Sequence, residues 1–119
     1  MIRIKLQLMC GPEIAMGPGK ADLLDAIAAH GSISAAGRAL GISYRRTWLL
    51  VDTMNRCWRA PLVETALGGK QGGGARVSAL GHEVLEHYRA LQSRLDAAAD
   101  GDPAAALREA MRDTPIEVR

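Results

Sequence analysis

Hydrophobic and polar positions change period several times along this chain of 119 residues. Ile2, Ile4, Leu6 and Leu8 alternate with Arg3, Lys5 and Gln7, which predicts a half-buried strand over residues 1–10. That strand is expected to pair with a hairpin further along the chain or with a second subunit. Residues 11–19, containing Pro12 and Pro18, read as a connector. Leu23, Leu24 and Ile27 share one face of a helix over residues 20–30, and Gly31 ends it.

The next 28 residues, from Gly31 to Trp58, read as two helices joined by a tight turn. Ser32 or Ser34 is placed to cap the first, because a serine oxygen accepts from the free N–H groups of an opening turn. Ala35, Ala36 and Ala39 are small enough for a second helix to pack closely, and Leu40 completes the apolar stripe. Gly41 supplies the left-handed conformation that stops the helix. Ile42 plugs the angle, and Ser43 caps a second helix over residues 44–56. On that helix Thr47, Leu50, Val51, Met54 and Trp58 recur at helical spacing and face inward. Tyr44, Arg45, Arg46 and Trp48 fall on other faces near its start. A helix entering the major groove of DNA meets the base edges with that end. Arginine's forked donors suit guanine or phosphate, and tyrosine can stack on a sugar or bond a phosphate.

Pro61 closes the helix. Residues 62–67 alternate loosely as a strand, 68–74 are glycine-rich, and 75–78 return as a second strand. A hairpin directly after a reading helix is a wing, with Lys70 and Arg76 supplying charge toward a backbone or minor groove. A nucleotide-binding phosphate loop would need glycine five positions before Gly69 and Ser or Thr after the lysine. Glu64 and Gln71 stand there instead, so that reading fails.

Beyond the wing, Ser78 caps a long helix reaching about Ala99. Leu80, Val84, Tyr88, Leu91 and Leu95 form a narrow stripe about 22 Å long, at ~1.5 Å per residue. Near-heptad spacing suits a partner helix, and packing on its own domain is the alternative. Gly101, Asp102 and Pro103 break this helix, and Pro103 can open a short alanine-rich helix through Met111.

The formal net charge of +2 hides a strong asymmetry. Residues 38–76 carry seven basic side chains against Asp52 and Glu64, while residues 82–119 carry eight acids against five bases. A positive segment on the helix pair and wing is what a phosphate-facing surface requires. Cys10 and Cys57 lack metal-ligand spacing and read as small buried thiols in a reducing compartment. His30, His82 and His87 lack ligand spacing too, and no catalytic triad or carboxylate pair stands out. The reading is therefore not an enzyme, with no cofactor. The absence of a membrane-length apolar run or a secretory signal predicts a cytoplasmic protein. Only four aromatics are present, which offers no stacking platform for RNA.

The segments Gly17-Pro-Gly-Lys20, Gly31-Ser-Ile-Ser-Ala-Ala36, Ser43-Tyr-Arg-Arg46, Trp48-Leu-Leu-Val-Asp52 and Pro61-Leu-Val-Glu64, with the glycine-rich wing before Ala75-Arg76, carry a family resemblance. Together they resemble the N-terminal domain of molybdate-responsive transcriptional regulators, the ModE family, itself similar to the LysR-type DNA-reading head. The resemblance spans about Ile2 to Leu95. It implies a dimeric bacterial transcription factor whose helix from Ser43 reads the major groove while the wing lies over the backbone. Full-length members continue into oxyanion-binding domains that hold molybdate. This chain ends about twenty residues past its long helix, so no molybdate site is carried over to any residue. The expectation is a stand-alone regulator, or one whose signal comes from a partner protein.

The resulting expectation is a mainly α fold with a small β component, a winged helix-turn-helix followed by a long C-terminal dimerisation helix. Residues 1–100 would form the DNA-binding domain with its dimerisation helix over about 78–99, and residues 101–119 a short tail. The expected function is sequence-specific binding of double-stranded DNA as a homodimer. Ser43, Tyr44, Arg45 and Arg46 would make base and phosphate contacts, Lys70 and Arg76 would hold the wing, and Ser32, Ser34 and Arg38 would touch phosphates beside the groove. Leu80, Val84, Tyr88, Leu91 and Leu95 would join the subunits. The alternative is a protein-interaction module that pairs with and tunes a full-length regulator; a small-molecule sensor is a third reading.

Overall fold

A computed structural model describes residues 1–66 and 74–118. It is mainly helical, with two small antiparallel sheets. Two strands, β1 (Leu8–Cys10) and β2 (Glu13–Met16), form the first hairpin. Helices α1 (Pro18–His30), α2 (Ile33–Ala39) and α3 (Tyr44–Cys57) follow. A second hairpin, β3 (Val63–Thr65) and β4 (Ala75–Val77), precedes the long α4 (Ala79–Ala98) and the short α5 (Asp102–Ala110).

The N-terminus departs from the expected strand over residues 1–10. Only Leu8–Cys10 joins a sheet, and its partner is β2, inside the segment expected to be a connector. Gly11, at φ 57°, makes the turn between them. A four-residue strand between two prolines carries too little periodicity to stand out. Ile2, Ile4 and Leu6 do keep their alternating half-burial. They join no described ladder; at Leu6 the Tyr88 hydroxyl of α4 donates to the backbone carbonyl at 2.8 Å. Met1 and Ile2 share a shallow depression with Leu107 and Met111 of α5.

Met16, Leu23, Leu24, Ile27, Met54 and Leu62 are fully buried and centre the core, with Ile33, Val51, Val77, Val84 and Tyr88 around them. Gly31 ends α1 at φ 69°, its N–H donating to the Ile27 carbonyl at 2.8 Å. Among the described residues, no helix is long and apolar enough to cross a membrane. The radius of gyration is 18.2 Å. A compact domain of this length would have about 13–14 Å. The last buried residue of α4 is Tyr88, while the helix continues to Ala98.

The junction of α2 and α3 is closely packed. Gly37 is buried on α2, and a Cβ there would overlap the Thr47 side chain of α3. Thr47 is itself fully buried and its hydroxyl donates to the Ser43 carbonyl at 2.8 Å. Gly37→Ala should therefore destabilise the fold by about 1–3 kcal/mol, the range for overpacking a filled interior. Gly19→Ala, where a Cβ would meet nothing within 4 Å, should be neutral or slightly stabilising. Urea denaturation of both variants checks this, and equal stabilities would remove the close approach as a constraint.

Candidate nucleic-acid interface

The expected reading helix starts where the turn chemistry requires. Gly41 lies at φ 69°, and the Ile42 N–H closes the turn on the Gly37 carbonyl at 2.9 Å. Ser43 is extended and its Oγ accepts from the Arg46 N–H at 3.2 Å, capping α3. Ser32 caps α2 in the same way, accepting from the Ala35 N–H at 3.1 Å. Ser34 lies inside α2 and is half-buried. Both capping oxygens are acceptors in these bonds, so each hydroxyl hydrogen is free to donate outward.

Tyr44, Arg45, Arg46, Trp48 and Leu49 are all exposed on α3, while Thr47, Val51 and Met54 are buried. The Tyr44 and Trp48 rings meet edge to face at a centroid distance of 6.2 Å. Leu49 is 54 % exposed beside them, an apolar surface that helical periodicity did not single out. With Arg45 and Asp52 these three side chains line a shallow depression.

Ion pairing divides the basic residues of this region into two sets. Arg56 pairs with Asp52 at 2.9 Å, Arg59 with Glu83 at 3.8 Å, and Arg76 with Glu64 at 2.9 Å. The Asp52 bond holds the Arg56 guanidinium above its ordinary pKa. Among the described residues, Arg38, Arg45 and Arg46 make no ion pair or side-chain hydrogen bond. These three lie at the end of α2 and the start of α3, on either side of the turn. A solvated cation with no carboxylate partner gives up only hydration and side-chain freedom to meet a phosphate. A paired one must first break its bond.

Arg76 therefore occupies a different situation from the one expected of it. It sits opposite Glu64 in the β3–β4 register and pairs with it across the strands, at a largely exposed position. Lys70, the other expected wing cation, lies outside the described residues. The base of the β3–β4 hairpin is held at three points. Asn55 of α3 acts as a substitute strand: its Oδ1 accepts from the Leu62 and Val63 N–H groups at 2.9 and 3.0 Å, and its Nδ2 donates to the Val63 carbonyl at 3.0 Å. The Ala75 N–H donates to the Gly31 carbonyl at 2.8 Å. Ser78 caps α4 through the Gly81 N–H and donates its hydroxyl to the Pro61 carbonyl at 2.7 Å.

Asn55 was invisible to periodicity because it matters through a contact with another element. Lys20 is a second such residue. It is 9 % exposed near the N-terminus of α1, and burial lowers its pKa, with the nearby Cys57 and Glu13 opposing and Arg46 reinforcing that shift. Of the α4 stripe, Val84 and Tyr88 are buried in the chain's own core, Leu80 and Leu95 are half-buried and Leu91 is 44 % exposed. The spacing of Val84 and Tyr88 is thus accounted for within one chain. Burial raises the Tyr88 pKa.

No protein-family model matches the chain. Among curated proteins, it is 39% identical over 92 residues to the molybdenum-pterin-binding protein MopA of Rhodobacter capsulatus, covering 77% of this chain and 34% of that protein. It is 37% identical over 86 residues to the molybdenum transport protein ModE of Azotobacter vinelandii, covering 72% and 32%. It is 36% identical over 103 residues to the DNA-binding transcriptional dual regulator ModE of Escherichia coli K12, covering 83% and 39%. The chain spans about a third of the length of these relatives.

The triple bond from Asn55 predicts a local effect that a core truncation would not give. Asn55→Ala should cost about 1–3 kcal/mol, the range for leaving buried backbone polar groups without partners. Amide hydrogen exchange should accelerate first at Leu62 and Val63. Unchanged exchange at those two amides would show that the side chain does not hold the wing to α3.

Proposed function

We propose that this chain is the DNA-binding head of a ModE-type transcriptional regulator. In this reading α2 and α3 are a helix-turn-helix, the β3–β4 hairpin is its wing, and α3 enters the major groove of double-stranded DNA. The observation that carries it is the clustering of Arg38, Arg45 and Arg46, without carboxylate partners among the described residues, around the turn that opens α3. The Escherichia coli relative, named a DNA-binding transcriptional dual regulator, supports the same assignment.

Within that reading, Arg45, Arg46, Tyr44 and the Ser43 hydroxyl approach bases and adjoining phosphates from the helix start. Arg38 and the serines Ser32 and Ser34 face the backbone beside the groove, and Lys70 and Arg76 serve the wing. Arg76 reaches phosphate only by exchanging its bond to Glu64, so its contribution is smaller than that of an unpaired arginine. Residues 1–100 form the head with its α4 helix, and 101–119 the tail. The head binds as a homodimer. Leu91 and Leu95, beyond the buried part of α4, carry the subunit contact, with Leu80 at its near end, while Val84 and Tyr88 support the helix from inside. The compartment is the bacterial cytoplasm. The relatives' names include molybdenum, and no residue of this chain is assigned to a molybdenum compound.

Arg45→Ala or Arg46→Ala should cost about 1–3 kcal/mol at the preferred site and leave binding to random DNA much less affected. Equal losses on both would remove their base-reading role. Lys70→Ala should weaken all sequences alike and reduce the salt slope by about one. Selection of bound fragments from a random duplex library tests the whole reading. The expected product is a palindrome with half-sites about one helical turn apart. Failure to enrich any sequence at moderate salt overturns it.

A further inference from the structure

Side-chain exposure departs from the expected pattern in two places. Cys10 and Cys57, expected as buried thiols, are exposed and half-buried. On α3 the departure is contiguous. Arg45, Trp48, Leu49 and Asp52 follow one another at i, i+3, i+4 and i+7, so they share one face of the helix. Thr47, Val51 and Met54, buried in the core, occupy the opposite face. The middle of the outward face is therefore apolar, not basic: Leu49 is 54 % exposed and Trp48 39 %. The Tyr44 ring meets the Trp48 ring edge to face at 6.2 Å and extends this surface toward the helix start. Apolar side chains scattered singly over a surface are ordinary, but these three line one depression.

The charges around this surface select its partner. Arg45 lies within it, Arg46 follows on the next helix position and Arg38 stands across the turn, all without carboxylate partners among the described residues. Asp52, at the far edge, is engaged by Arg56 at 2.9 Å. An apolar surface flanked by unpaired arginines suits a polyanion that carries apolar groups between its phosphates. In the major groove of duplex DNA, the apolar group on a base-pair edge is the C5 methyl of thymine, while the other bases present donors and acceptors there. Resting on the reading that α3 enters the major groove, we propose that Leu49 selects thymine by packing on that methyl, with the Trp48 indole as the wall of the same depression. The Tyr44 ring, set against Trp48, limits where that indole can turn. Arg45, one turn before Leu49, then meets the neighbouring base pair or its phosphate. A base other than thymine opposite Leu49 would leave a polar edge facing leucine without a hydrogen-bond partner, which costs more than a missing methyl alone.

The duplex enriched from a random library supplies the test. Each thymine of one half-site is replaced singly by deoxyuridine, which keeps the pairing and the O4 acceptor and removes only the methyl. The full chain should bind about three- to tenfold more weakly where the thymine facing Leu49 is replaced, the worth of one or two buried methyl contacts. Leu49→Ala should weaken binding to the thymine duplex and bind the thymine and uracil duplexes alike, and Trp48→Ala should narrow the same ratio. Arg45→Ala should lower affinity for both duplexes and keep the ratio. A half-site without thymine, or a uracil series with no loss at any position, overturns the proposal with unmodified protein alone, so it stands even if a variant fails to fold. A ratio that persists in full in Leu49→Ala overturns it too. Absence of any enriched duplex would instead overturn the DNA-binding reading, and this inference with it; an enriched duplex with a flat uracil series overturns this inference only.

Discussion

The contact of Gly37 with Thr47 sets the geometry on which the rest of the molecule depends. Two helices normally pack at 8–10 Å between axes, kept apart by their side chains. Here the side chain is missing on one partner, and the other presents a short branched residue whose hydroxyl is occupied by the Ser43 carbonyl. At this contact the approach of α2 to α3 is limited by backbone and one threonine, not by a long side chain. Gly41 at positive φ completes the turn. The cations at the start of α3 are therefore presented by a closely packed corner, although they are themselves solvated side chains.

The same economy recurs behind the helix. Asn55 provides a strand-like edge to Leu62 and Val63, so β3 begins in register with α3 before it pairs with β4. Gly81 plays on α4 the part that Gly37 plays on α2, since a Cβ there would overlap the Leu62 carbonyl and the Val77 side chain. Small residues at both junctions let the wing base sit directly between α3 and α4. The Arg89 guanidinium, raised above its ordinary pKa chiefly by its bond to Asp25, then ties α4 to α1 at 2.9 Å, with Asp22 at 3.1 Å. Those pairs are exposed and contribute little stability; they orient the helix more than they hold it.

Local chemistry was legible in the sequence and tertiary chemistry was not. Gly31, Gly41, Ser32, Ser43 and Ser78 act within three or four residues of themselves, and their roles as stops and caps follow from residue type and position. The buried face of α3 follows from its period. By contrast, β2 is four residues long and framed by prolines, so its pairing with β1 leaves almost no pattern. Gly37 and Asn55 look ordinary until the element opposite each is known. The division of the basic residues was equally hidden: counting charges could not show that Glu64 faces Arg76 across a strand pair or that Glu83 reaches Arg59 from α4. Burial of Val84 and Tyr88 likewise required knowing that the N-terminal segment lies along α4.

If the chain reads DNA as proposed, the three-point attachment of the β3–β4 hairpin has a mechanical consequence. Asn55 ties the described part of the hairpin to α3, the Gly31 carbonyl ties it to the end of α1, and Ser78 ties its two ends together at the start of α4. In the proposed complex, two prongs tied together in this way would leave the duplex as the more compliant partner. Bending or groove compression then carries an energy that depends on the stiffness of base steps the protein never touches. Selectivity would reside partly in the elasticity of the operator, and a single asparagine amide on the far side of the reading helix would determine how much of it is felt.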